Sequence, residues 1–315
     1  MESVTEKMSD RLRLRLATLG VVVAAMGFGV VPLFARGLTD AGMAPFAVAF
    51  YRYVLVSALF LPVLLRALWN RDTRVAALWG VGSGTVMGLG WVGYVNALQV
   101  VPVGTAGVIY MSYPVFTLVV AWAVFSDRPS GRAMLAAGLI LLAAIIAGGA
   151  EVMGPAPVMP LVLALAAPFG FGVGISVLVH RLSGLRPLTR LTVVSSGSVL
   201  GLLPLVLGAS WEQVIPSGLD AWLLVAGIAL ATALVPQLIY SVCSPMIGAA
   251  RSAMAGAVEL PMMFLVGWLA YGERLGPAQW LAGAIVLGAI LLTPTRATRN
   301  VSMNIARPRG GFRRS

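Results

Sequence analysis

Charge in this chain is confined to short stretches, and the stretches are separated by apolar runs of roughly 20 residues. A helix rises about 1.5 Å per residue, so such a run spans the roughly 30 Å of hydrocarbon in a bilayer. Inside hydrocarbon every backbone N–H and C=O must find its partner within the protein, which leaves helices and closed barrels. Barrel strands are about 10 residues long and alternate in polarity. Unbroken apolar runs of this length therefore predict an all-α membrane protein. The composition agrees: 59% of the 315 residues are hydrophobic and 10% charged, with a mean hydropathy of +0.93. That is too apolar to cover a soluble domain.

Ten spans are predicted, near residues 16–35, 44–64, 75–97, 103–125, 131–150, 156–178, 190–208, 218–240, 246–270 and 277–293. Positive charge stays on the cytoplasmic side of a membrane protein. With the N-terminus inside, nineteen of the 22 Lys and Arg fall on that side, Arg181, Arg186 and Arg190 among them. Arg36 and Arg274 fall outside and Arg52 within a span. Both termini are thus expected in the cytoplasm. The net charge of +11 follows from this orientation rule and gives no reason to expect nucleic acid as a partner. Residues 295–315 read as a basic, disordered tail near anionic lipid.

The chain is also written twice. FSDRPSGRAMLAAGLILL, from Phe125, is echoed by YGERLGPAQWLAGAIVLG, from Tyr271. Pro45 and Pro62 recur as Pro187 and Pro204, Gly27-Phe28-Gly29 as Gly170-Phe171-Gly172, Pro114 as Pro261, and Trp122 as Trp268. The offset stays between 142 and 147 residues. Five spans per copy is an odd number, so the second copy is upside down, an inverted repeat of the kind transporters use. The organisation read from this is a cytoplasmic segment 1–15, a first repeat 16–150, an inverted second repeat 151–294 and the tail.

Few polar groups remain inside the spans. Arg52 and Glu259 are the two ionisable residues well within them, and their repeat images are Val194 and Ser112. Intramembrane charges face the bundle interior and pair or line a pathway. Two readings are open: an ion pair locking one span to another, or a site with Arg52 for a substrate carboxylate and Glu259 for a proton or an amine. Pro114 and Pro261 lie mid-span as repeat images, each removing a hydrogen bond, from the carbonyls of Tyr110 and Ala257, and kinking its helix. The third span places Gly80, Gly84, Met87, Gly88 and Trp91 on one face. That stripe is read either as close helix packing or, through Met87 and Trp91, as a cavity wall. Tyr110 and Tyr113 flank Pro114, Met263 follows Glu259 by a turn, and Thr232 lies in the facing eighth span. Trp79, Trp122, Trp222, Trp268 and Trp280 read as interfacial anchors. Asp127 and Glu273 read as turn and helix-entry residues on opposite faces.

Signatures of other classes are missing from the sequence. One histidine, His180, and one cysteine, Cys243, offer no metal cluster. No GxxxxGK[ST] loop for ATP is present, and no span repeats polar residues along one face as a channel would. Neither cofactor nor catalytic activity is expected.

The ten spans, the inverted repeat, Arg52, the Pro114/Pro261 pair and the acidic turn Gly272-Glu273-Arg274-Leu275 resemble the drug/metabolite transporter superfamily, in particular its ten-helix EamA-type exporters. The first copy of the turn departs from the pattern, reading Ser126-Asp127-Arg128-Pro129. The resemblance implies a multi-pass transporter of the bacterial inner membrane, exporting amino acids and related metabolites by alternating access. Its partners would be a small-molecule substrate and lipid, with proton coupling open. Export of drugs or nucleotide-related metabolites is the alternative carrier reading; a channel or noncatalytic scaffold is the alternative class.

Overall fold

A computed structural model of the chain describes residues 2–152, 158–274 and 276–292, and every regular element in them is helical. The basic tail and Leu275 of the acidic turn lie outside the described residues. The helices are α1 (Glu2–Gly29), α2 (Val31–Asp40), α3 (Pro45–Leu59), α4 (Leu61–Trp69), α5 (Arg71–Ala97), α6 (Val103–Tyr110), α7 (Tyr113–Phe125), α8 (Gly131–Val152) and α9 (Val158–Ala164). They continue with α10 (Ala166–His180), α11 (Pro187–Leu207), the short α12 (Trp211–Val214), α13 (Gly218–Ala229), a π-helical turn (Leu230–Leu234), α14 (Val235–Ile247), α15 (Ala249–Gly256), α16 (Glu259–Tyr271) and α17 (Pro277–Leu292).

Among the described residues, seven helical stretches are long and apolar enough to cross a membrane. They become eight when α3 and α4, bent by 71° at Phe60, count as one broken span. Two further apolar helices, Gly131–Ile146 and Trp280–Leu292, are shorter. The bend in the second span is absent from the sequence reading. Pro62 enters the first turn of α4 and has no N–H for the carbonyl of Ala58. Its repeat image Pro204 lies inside α11 without a break, so proline alone does not set the angle.

Proline also starts new segments at Pro32 in α2, Pro114 in α7 and Pro236 in α14. Pro261 follows the same rule two residues into α16. The carbonyl of Ala257, expected to be left unpaired, accepts the N–H of Leu260 at 3.1 Å. The helix tightens to an i to i+3 bond there and recovers part of what Pro261 removes.

Contacts gather the loops at two ends. At one end His180 Nε2 meets Asp127 Oδ2 at 3.1 Å, Phe125 stacks on His180, and Arg251 donates to Thr18 at 3.0 Å. At the other, Glu273 accepts from the N–H groups of Val103 at 2.8 Å and Gly104 at 3.3 Å. It also pairs with Arg36 at 3.8 Å. Val103 begins the stretch that Asp127 follows, so the two acidic turns sit at opposite ends of the bundle. Trp79, Trp122, Trp222, Trp268 and Trp280 are all exposed, as interfacial anchors would be.

The glycine stripe of α5 is where helices come closest. A Cβ at Gly84 would collide with the backbone carbonyl of Val194, one at Gly80 with the Val193 side chain, and one at Gly88 with the backbone of Ser198. All three partners are on α11, which returns the approach at Gly197 against Val81. Hydroxyls stitch the seam, Ser198 donating to the Gly84 carbonyl at 2.9 Å and Thr85 to that of Gly197 at 3.0 Å. This is the small-residue packing membrane helices use where no water drives them together. Gly84→Val should cost about 1–3 kcal/mol of overpacking and lower the thermal-unfolding midpoint in detergent by several degrees. Gly138→Ala, whose Cβ would meet nothing within 4 Å, should leave the midpoint unchanged or slightly raised. Equal midpoints for the two variants would contradict the seam.

Candidate functional site

Alongside that seam the same helix turns Met87 and Trp91 into a cavity of about 40 Å³. Gly170 and Gly174 let α10 come up to Met87 on this side. The volume admits a few waters and falls well short of the several hundred Å³ of a filled small-molecule site. The side chains around the centre of the bundle are therefore closely packed.

Aromatic rings make a large part of the wall. Phe28 and Phe171 meet edge to face at 5.8 Å, Tyr110 stacks on Phe171 at 5.8 Å, and Trp91 lies against Tyr110 at 5.7 Å. Phe28 and Phe171 are the central residues of the repeated Gly-Phe-Gly. The echo that marks the repeat in the sequence is thus also a pair of facing side chains in the cavity.

Arg52 enters from α3, 4% exposed. Its guanidinium lies over Trp91 at 4.0 Å and Tyr53 at 5.3 Å. Nη2 donates to the carbonyl of Thr232 at 3.1 Å, while Nε and Nη1 have no partner. The Thr232 carbonyl is free for a local reason: its helical donor would be residue 236, a proline. The π-helical turn at Leu230–Leu234 is the other mark of that interruption.

Arg190 repeats the device. Read from sequence as one of the cytoplasmic arginines, it is 9% exposed and lines the cavity from α11. Nε donates to the carbonyl of Leu182 at 2.9 Å and Nη1 to that of Ser241 at 2.6 Å; Nη2 donates to Ser183. The donor Ser241 would have used is residue 245, again a proline. A charge count by span end does not reach this role, because a long side chain at a helix start can fold inward onto carbonyls.

Of the residues singled out in the sequence, Arg52, Met87, Trp91 and Tyr110 line the cavity. Tyr113, Thr232, Glu259 and Met263 stand behind the wall, each fully buried. The Tyr113 hydroxyl donates to the Ala253 carbonyl at 2.9 Å, which is open because the N–H of Ala257 turns to Met254 instead. Thr232 contributes its backbone, its own hydroxyl donating back to Ile228 at 2.6 Å. Met263 accepts the Tyr94 hydroxyl at 3.7 Å. Tyr94, Phe171 and Tyr240 were not singled out, nor was Arg190; the prolines at 236 and 245 were the available signal for the two arginine docks.

Glu259 does not pair with Arg52. Neither carboxylate oxygen has a hydrogen-bond partner, although Arg52 and the tyrosines Tyr94, Tyr110, Tyr113 and Tyr240 are near enough to interact electrostatically. The locking ion pair is thus not formed. The guanidinium is held by the Thr232 carbonyl and the Trp91 face. Tyr240 has its hydroxyl near Ser244 and Ser252 without hydrogen-bond geometry to either. Those two serines bond each other at 2.8 Å.

Residues 15–149 match the EamA-like transporter family. Twenty-one chains of solved structures match this one. One of them, described only as "Crystal structure of protein", is 18% identical, covers 88% of this chain and 96% of its own, and superposes with a TM-score of 0.66. At that identity the likeness shows a shared fold. No curated protein matches.

The two tyrosine hydroxyls make opposite predictions. Tyr113→Phe strands a buried carbonyl and should cost roughly 1–3 kcal/mol, seen as a lower unfolding midpoint. Tyr240→Phe removes a hydroxyl that has no partner and should leave the midpoint level or higher. The reverse order would refute the hydrogen-bond assignment.

Proposed function

We propose, from the place of residues 15–149 in the EamA-like transporter family, that this protein is a secondary carrier of small amphipathic metabolites. Amino acids with apolar or aromatic side chains are the proposed substrates, and export across the bacterial inner membrane the proposed direction. The observation that carries this reading is Arg52: a buried guanidinium with two nitrogens, Nε and Nη1, unpartnered, on a residue lining a cavity with aromatic rings in its wall. A carboxylate is the natural partner for those donors, and the rings suit an apolar body with loose selectivity.

The architecture proposed with it is ten spans in two opposed five-helix halves, both termini cytoplasmic. Seven long stretches, the bent α3–α4 pair and the two shorter apolar helices supply ten positions. The contact of Phe28 with its sequence echo Phe171 at the cavity wall supports two related halves closing on it. Rocking of the halves would open it to one side and then the other, driven by solute gradients. Glu259, buried without a partner and outside the cavity lining, is proposed to carry a proton rather than to touch the substrate.

Saturable counterflow of labelled phenylalanine or leucine into preloaded proteoliposomes tests the reading. Arg52→Gln should slow it by tenfold or more, since a charge-assisted hydrogen bond contributes about 1.5–3 kcal/mol. Glu259→Gln should keep exchange at equal pH and lose the response to an imposed pH gradient. Ionic current without saturation would favour a channel, and no flux from wild-type protein would remove the carrier reading.

A further inference from the structure

The cavity is lined by two guanidinium groups and, among the described residues, by no carboxylate. Arg52 is docked on Thr232 and Arg190 on Leu182, Ser183 and Ser241. Every hydrogen-bond acceptor that holds them is a neutral peptide carbonyl. Carbonyl dipoles orient a guanidinium and soften its burial, yet they leave its unit charge uncancelled. Trp91 adds the negative face of its ring to Arg52, which again is a quadrupole and not a charge.

Glu259 is the only acidic residue well inside the spans, and it lies elsewhere. Its Oε1 would be 3.9 Å from a Cβ placed at Gly256, on the side where the Tyr113 hydroxyl packs. An ammonium group held in the cavity would therefore find aromatic faces but no carboxylate, with a guanidinium on either side. A carboxylate would find two unpartnered nitrogens on Arg52, Nε and Nη1, and attraction from Arg190.

The two arginines are also related. Arg190 lies on the repeat image of the helix that bears Arg52, one turn before Val194, which is the image of Arg52 itself. Each grips the Gly218–Ile247 stretch at a carbonyl that proline leaves without a helical donor. The positive lining thus comes from both halves and belongs to the cavity as a whole.

We infer that the cavity selects its ligand by negative charge: it takes small organic anions with an aromatic or branched apolar body, and the ammonium group of an amino acid adds nothing to its recognition. This rests on the reading of the cavity as the substrate site. Deaminated carboxylates should then bind at least as well as the amino acids that share their side chains.

The test uses three probes with one aromatic body, 3-phenylpropanoate, phenylalanine and phenethylamine, titrated calorimetrically into the full chain in lipid nanodiscs. The anion should bind at least tenfold tighter than the amine and no more weakly than phenylalanine. Arg52→Gln and Arg190→Gln should each narrow the ratio of anion to amine affinity, while Arg190→Lys, which keeps the charge, should preserve it. Where Arg190→Gln does not fold, Arg52→Gln decides. Equal or tighter binding of the amine, an unchanged ratio in the glutamine variants, or binding of none of the three would overturn the inference. Anion-selective binding without flux would leave it standing and remove the carrier reading instead.

Discussion

A peptide carbonyl inside a membrane bundle has no water to turn to, and a proline four residues on takes away its helical donor. The centre of this protein is arranged around that constraint. Thr232 and Ser241 lose their donors to Pro236 and Pro245, and Arg52 and Arg190 supply the replacements. The exchange satisfies both sides: a carbonyl that would be costly to leave bare is bonded, and a guanidinium that would be costly to bury is oriented. Ala253 and Tyr113 repeat the exchange with a neutral donor.

The helices divide accordingly into stiff and jointed. α5 and α11 run unbroken for 27 and 21 residues and meet backbone to backbone through glycine. The facing stretch from Gly218 to Ile247 is interrupted by a π-helical turn and two prolines. At the cavity it is tied to α11 by Arg190 and to α3 by Arg52, each reaching for a carbonyl. A displacement that enlarges the cavity along that seam breaks a few hydrogen bonds, whereas one that parts α5 from α11 breaks a continuous close contact.

Much of this was legible in the sequence. Apolar length predicted membrane helices, and the cost of intramembrane charge drew attention to Arg52 and Glu259. Pro114 and Pro261 marked breaks in their helices. The ion-pair reading of Arg52 and Glu259 came from similar heights along two helices, and height says nothing about azimuth. Arg52 turns to a carbonyl on the next helix, and Glu259 faces tyrosines. Arg190 was not singled out because a charge count assigns a side chain to the end of the span where its Cα lies and says nothing of where the guanidinium folds.

By itself, the sequence determined the solvent, the helical class and the shortlist of polar residues, because each follows from composition, period or the rule that backbone groups be paired. Only the tertiary structure decided which of those residues share a cavity and which stand behind its wall. It also decided that two arginines close on carbonyls and not on the one buried carboxylate. Those outcomes depend on helix rotation and on glycine-to-backbone approach between segments more than 100 residues apart, as where Gly84 meets Val194, and no local pattern encodes them.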